Sequence, residues 1–433
     1  MENEMKRFFS VLLLLVMLFA LPSYAVSLDK NQVNKEAPAA LSKTLKGAAV
    51  ADVTTDTLLY TNSSDTKVPS YGGISRLMTA VTIEYQNRQD TIIKSGFSEE
   101  AYEDHLASLL IKDDGAAARA LAVEVSESVE DFVALMNATA VQIGMANTTF
   151  TSPDGVRDTR AVTTVDDLLL LAYEAYNLSE IKTMLSSNLY YSLDGGSSYS
   201  RDHSILNPDH KSYNDEVNFY ACGEFGDAGL LSIVGAMNTS GREVVAVTYE
   251  SGSYVTEYKN NYTSDIANLL TMSFSRYYVA ELLEVTKAAV NDLDGFALAD
   301  GTRVYASVEI PNDQKARKLL PVSYGEIIFN NYTSCSVDIG PLPESCELNT
   351  LLTTGILKYD NDELLTFRLR TNRIVFQNGS EQRSEYSLYS NEEGEQMAHD
   401  QYKKNQWIIV SVGVCIFAAL AVVGAEFLKR RLM

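Results

Sequence analysis

A serine three residues ahead of a lysine puts a hydroxyl and an amine one helical turn apart. That is the least a chain needs to set a nucleophile beside the base that takes its proton. The spacing occurs at Ser27–Lys30, Ser64–Lys67 and Ser179–Lys182. A four-residue pattern with two free positions recurs by chance, and none of these opens an apolar helix. The stretch that does is Pro69–Ala80, P-S-Y-G-G-I-S-R-L-M-T-A. Ile74, Leu77, Met78, Val81 and Tyr85 follow the spacing of one buried helical face, and Gly72-Gly73 lets the chain turn sharply into it. At the head of this helix stand Gly73 and, three residues on, Arg76. Glycine offers no reactive atom, and arginine cannot give up its proton to act as a base. Ser75 has no lysine at the right spacing. Cys222 could be a thiol nucleophile, although a small buried side chain is the blander reading. His203 and His210 are isolated and no Cys–His spacing suits a metal, so neither cofactor nor metal is expected.

The chain that must position these residues has 433 of them, enough for two or three domains with real cores. A hydrophobic content of 46% with 21% charged residues is that of a folded protein, and a net charge of −22 argues against a nucleic-acid partner. Lys6 and Arg7 precede an apolar run, Val11–Leu21, and Ser23-Tyr24-Ala25 supplies small residues for cleavage. Residues 1–25 therefore read as a signal peptide. At the other end Trp407–Ala425 carries no charge and Lys429, Arg430 and Arg431 follow. This predicts a transmembrane helix over 407–428 and a cytoplasmic tail over 429–433, with a single-pass protein in the cell membrane whose body is extracellular. Cys335 and Cys346 can be read either as a disulfide or as two free thiols.

Between these ends, Ala48–Val53 and Leu58–Thr61 read as strands, as do Leu230–Met237 and Glu243–Tyr249 around the hairpin loop N-T-S-G-R. Leu106–Val125 is helical in character. Ser128 with Asp131 caps a helix bearing Val129, Phe132, Val133, Met136, Ala140 and Ile143 on one face and ended by Gly144. Thr164 with Asp167 caps another, and a further helix is expected over 265–274. Residues 86–105 are polar and show little pattern. After Tyr278 short alternating segments predict a small all-β domain, with strands at 302–310, 326–329, 334–339, 356–359, 364–369 and 374–376. Residues 377–406 read as a polar linker.

The helix opening at Gly73 resembles the nucleophile helix of the serine-type D-alanyl-D-alanine carboxypeptidases, the low-molecular-weight penicillin-binding proteins of peptidase family S11. That family writes P-A-S-L-T-K-L-M-T-A there, with S-x-x-K carrying the chemistry. Further matches follow in order. L-L-I-K-D-D-G-A-A-A-R-A-L-A is similar to the helix carrying the family's S-G-N, and I-G-M-A-N-T-T-F-T-S-P-D-G-V and T-T-V-D-D-L-L-L-L-A to the segments after it. A-C-G-E-F-G-D-A-G is similar to the strand where the family writes K-T-G. The resemblance implies a carboxypeptidase-like domain over 41–277, α/β of the β-lactamase and transpeptidase type, with an antiparallel sheet flanked by helices. It is followed by a β-sandwich domain over 278–376.

By the same resemblance the reactive positions are degenerate. The nucleophile position is Gly73 and the base position Arg76, while the Ser and Asn of the second motif read Asp113 and Gly115. The Lys, Thr and Gly that hold the substrate carboxylate read Ala221, Cys222 and Gly223, with Glu224 next. A lost cation and a gained anion oppose an acidic peptide end. The expectation is a bacterial, cell-wall-facing relative that no longer trims peptidoglycan stem peptides, and that binds them or the proteins of wall synthesis. The alternative is an active carboxypeptidase or other hydrolase using displaced residues in the same cleft. Arg76 is expected to pair with Asp113, or with Asp114, across the old site.

Overall fold

Long-range packing in this chain rests on strands apolar on both faces. In β1 (Leu45–Asp52), Ala49 and Ala51 point to one core while Ala48 and Val50 point to another. In β9 (Glu243–Glu250), Val245 and Val247 alternate in the same way with Val244 and Ala246. A strand with both faces apolar must be covered on both. These are central strands of a computed structural model that describes residues 28–30, 38, 40–63, 65–88, 99–192, 195–252, 255–291, 293–311, 316–322, 324, 335–359 and 362–384. The chain divides into two units, residues 1–280 with 317–326, and residues 281–316 with 327–433.

The first unit is built on a five-stranded sheet in the order β2-β1-β9-β8-β7, antiparallel throughout, where β2 is Thr57–Asn62, β7 Val217–Glu224 and β8 Leu230–Met237. One face packs against α1 (Gly73–Arg88), α2 (Glu99–Leu110), α3 (Gly115–Val125), α4 (Val129–Gln142), α5 (Val165–Asn177) and α6 (Ser179–Leu185). The other face packs against α7 (Val255–Arg276) through Ile266, Leu269 and Leu270. Two short pairings complete the main features. β3 (Lys67–Pro69) pairs with β4 (Val162–Thr164), and β5 (Leu189–Tyr191) pairs with β6 (Ser198–Ser200).

The helix expected over Leu106–Val125 is two helices. Asp113 adopts a left-handed backbone, φ 59°, which ends α2 and lets Asp114 cap α3. The cap at Ser128 and the stop at Gly144, φ 95°, fall where the sequence places them. Helix α1 is buried nearly all round rather than on one face, since Thr79, Ala80, Thr82 and Ile83 are also fully enclosed.

The second unit departs from expectation in form. In place of a sandwich, the described residues make one six-stranded antiparallel sheet, β11-β12-β16-β15-β14 with β17 on β16, and α8 (Leu282–Asn291) packs against it. Here β11 is Phe296–Ala297, β12 Arg303–Glu309, β14 Cys335–Ile339, β15 Leu351–Tyr359, β16 Asp362–Val375 and β17 Glu381–Arg383. The strands expected at 364–369 and 374–376 are one continuous strand, and the expected linker begins with β17 rather than with coil. Outside this sheet, in the first unit, β10 (Tyr277–Glu281) pairs with β13 (Arg317–Pro321).

Cys335 and Cys346 are free thiols. Cys335 lies opposite Tyr359, at one end of β15, and Cys346 lies beside Thr371, which bonds Thr350 at the other end. Nine residues of strand separate those ends by about 26 Å, far beyond disulfide reach.

The membrane helix expected over 407–428 is corrected. Among the described residues no helix is long and apolar enough to cross a membrane. That stretch, the signal sequence 1–25 and the strand expected at 326–329 all lie outside the described residues.

Candidate functional site

Three elements of the first unit converge where the resemblance puts a site: the N-terminus of α1, the turn before α3, and the end of β7. At the first, Gly73 leaves no room. A Cβ built on it would lie far inside van der Waals contact with the Cys222 carbonyl oxygen of β7. At the last, a Cβ on Gly223 would overlap the Phe225 ring and press on Ile74. Phe225 is buried, with its ring edge-on to Tyr71 at 5.0 Å between centroids. Helix α1 and strand β7 are therefore in direct backbone contact, with the Phe225 ring packed against the strand end.

Arg76 is the hub of the remaining polar groups. Its Nε and Nη2 donate to one oxygen of Asp113, Oδ1, at 3.1 and 3.0 Å, and Nη1 donates to the Asp154 carbonyl at 2.9 Å. The expected ion pair forms, but on a single carboxylate oxygen rather than as a fork on two. Arg76 is 15% exposed and Asp113 66%, so this is a pair at the rim. Asp114 takes the other role, accepting from the Ala116 N–H at 2.8 Å as cap of α3. Lys112 beside it, and then that N–H, hold its carboxyl below the ordinary range.

Gly115 is the first residue of α3, and a Cβ there would stand 3.1 Å from the Asp154 Cβ. Burial opposes ionisation of Asp154. The Ser152 hydroxyl, the Val156 N–H and Arg119 outweigh it and hold that carboxyl below the ordinary range. Asp154 and Arg119 had no assigned part in the sequence reading. The signal was there in S-P-D-G and in the arginine of G-A-A-A-R, but only the fold brings the two together.

The candidate nucleophiles named from the sequence stand as follows. Burial, then the charges of Asp113 and Glu224, push the Cys222 thiol up to about 12. Ser75 is 1% exposed and donates to the Ser152 carbonyl. Ser179 bonds Glu180 while Lys182 pairs with Glu243 at 2.6 Å, so that serine and lysine do not serve one another. Ser27 and Ser64 lie outside the described residues. Burial, then the charge of Arg201, draws His203 down to about 3. Arg201 itself is drawn down to about 10 by burial and caps the end of α6, donating to the carbonyls of Leu185 and Ser187 at 2.8 and 3.1 Å.

On the edge that the resemblance assigns to carboxylate binding, Ala221 is buried in the core and Glu224 pairs with Lys259 at 2.6 Å. Ala221, Cys222 and Gly223 are thus brought to Gly73 and Arg76, but they present no cation to a ligand. The described residues hold no His/Cys/Asp/Glu group suited to a metal.

Comparison with known proteins agrees with the resemblance. Residues 95–253 match the D-alanyl-D-alanine carboxypeptidase family, peptidase S11. The fold is similar to that of penicillin binding protein 6B from Escherichia coli, TM-score 0.57 at 14% identity over 80% of this chain and 100% of that one. It is also similar to penicillin binding protein 5 from Haemophilus influenzae, TM-score 0.52 at 15% identity over 77% and 97%. The D-alanyl-D-alanine carboxypeptidase DacD from Francisella tularensis gives 0.51 at 16% identity over 80% and 96%. No curated protein matches by sequence. On these grounds residues 95–253 are similar to the D-alanyl-D-alanine carboxypeptidase family, and the fold is similar to that of the penicillin-binding proteins.

Proposed function

We propose that this carboxypeptidase-like chain does not hydrolyse peptides, and that it acts at the outer face of a bacterial cell by binding stem peptides or wall-synthesis proteins. The observation that carries the reading is the closure at Gly73. Acyl transfer needs a nucleophile and space for a tetrahedral centre beside it. The Cys222 carbonyl occupies the space of even one carbon at that position.

The charges favour the same reading. Three donors of Arg76 are committed to Asp113 and to the Asp154 carbonyl, and Cys222 holds its proton at any working pH. The exported location is inferred from residues 1–25 and from the chemistry of the family's substrate.

Incubating the protein with a peptide ending in D-Ala-D-Ala separates hydrolysis from binding. The expected result is no release of D-alanine, together with retention of muropeptides or wall-synthesis proteins on immobilised protein. Release of D-alanine at a rate proportional to protein concentration would overturn the reading in favour of displaced catalytic residues.

A further inference from the structure

The second unit contains a cavity of about 260 Å³. Its apolar lining includes Val290 at the end of α8 and Phe296 on β11, which are 4% and 8% exposed. Its walls are polar, with Asn291, Asp294, Asn372 and Arg373 around the opening.

Two departures from regular backbone shape those walls. Along β12 and β16, Tyr305 pairs with Arg373 and Ala306 with Thr371, so Asn372 is the extra residue of a β-bulge. A bulge turns a side chain away from the regular pleat, here at the cavity wall. Opposite, Asp294 and Gly295 are consecutive left-handed residues, φ 48° and 83°, a conformation that costs energy for any residue other than glycine.

The polar groups are held yet keep capacity for a ligand. The Arg373 guanidinium lies 4.5 Å over the Tyr305 ring, and its Nε donates to Glu381 at 3.2 Å. Asn372 makes one long bond, 3.4 Å to the Ser307 hydroxyl. Asp294 spends Oδ2 on Arg303 at 3.1 Å. Among the described residues no hydrogen bond uses the Asn291 side chain.

Carboxamides both donate and accept, a guanidinium only donates, and a carboxylate only accepts. One cation and one anion in the lining offset each other, which disfavours a phosphate or an ammonium ligand. Hydroxyl groups suit this mixture, and the C–H face of a sugar ring suits Val290 and Phe296. The volume falls just below the range of about 300–1,000 Å³ typical of sites for larger ligands, leaving room for one ring. We propose that this cavity binds a single pyranose ring of a glycan. The proposal stands apart from whatever the first unit does.

Saturation-transfer NMR and calorimetry on the full chain test it, with tri-N-acetylchitotriose and maltotriose as probes. Transfer to the ring protons of either sugar is expected, and the preferred one tells whether an acetamido group is read by the asparagines. Asn291→Ala and Arg373→Ala should each weaken binding at least about tenfold, a change of about 1.4 kcal/mol. Asn291 is exposed and its replacement leaves folding intact, so it decides the matter if Arg373→Ala fails to fold. Absence of transfer to both sugars at about 10 mM, or binding unchanged in Asn291→Ala, would overturn the proposal.

Discussion

Glu250, at the end of β9, is fully buried against Asp265 of α7, which is also fully buried. Thr44 donates to Glu250 Oε2 at 2.8 Å, whereas Oε1 has no hydrogen-bond partner among the described residues. Asp265 accepts from the Ser42 N–H at 2.8 Å and its hydroxyl at 2.5 Å. Two carboxyls in one dry site cannot both ionise cheaply. Burial first, then the charge of Asp265, pushes Glu250 from its ordinary 4.5 up to about 8, with the Thr44 hydroxyl and Lys46 opposing the rise. The folded state therefore binds this proton more tightly than the unfolded chain does. The contribution of Glu250 to stability should be full at or below about pH 4.5, fall as pH rises toward about 8, and level off above.

At 1.36 kcal/mol per pH unit, the span of 3.5 units (8 less 4.5) sets an upper bound of about 5 kcal/mol. Glu250→Gln keeps the shape of the protonated acid and abolishes its titration. The test is urea denaturation of both proteins at pH 5, 7 and 9, reading the difference between them so that other titrating groups cancel. The variant should lie within about 1 kcal/mol of the wild type at pH 5 and exceed it by up to about 5 kcal/mol at pH 9. A stability difference that stays constant from pH 5 to pH 9 would refute the reasoning.

Other outcomes follow from the same structure. Gly73→Ser must push the β7 backbone away from the Cys222 carbonyl, and should cost about 1–3 kcal/mol in chemical denaturation without creating esterase or peptidase activity; a variant as stable as wild type would contradict the closure. Cys222 should resist iodoacetamide in the native protein at pH 8 and react after unfolding, whereas rapid native alkylation mapped to it would show a thiolate the buried site does not favour. Arg242, 5% exposed, binds Asp52 Oδ2 at 2.5 Å in the first unit, so Asp52→Ala strands a buried cation. A loss of about 3–5 kcal/mol is expected, and a loss below about 1 kcal/mol would mean that water reaches the site.

Local signals carried much of this fold into the sequence. Ser128 accepts from the Asp131 N–H, Thr164 accepts from the Asp167 N–H, and β8 runs Leu230–Met237 as the apolar run implies, because caps and strand patterns are decided by near neighbours. The N-terminal half of helix α2 leaves no pattern in the sequence because only its C-terminal half is apolar, with Leu106, Ala107, Leu109 and Leu110 buried. The Arg76–Asp113 pair was legible because each residue stands in a motif frame whose geometry is known. The closure at Gly73 was not, since the Cys222 carbonyl is backbone from a distant segment and no residue type announces it. Phe225, buried beneath Gly223 and against Tyr71, was hidden for the same reason.

The measurement that bears most directly on a cleft without a nucleophile is covalent labelling by a fluorescent penicillin. A β-lactam marks relatives of this fold only when a hydroxyl opens the strained ring and the acyl group stays attached. With Gly73 in that place and no room beside it, intact-mass spectrometry of the unmodified protein after prolonged incubation should show no added mass. A stoichiometric adduct, mapped to Ser64, Ser75, Cys222 or any other residue, would contradict the closure and identify a displaced nucleophile at work.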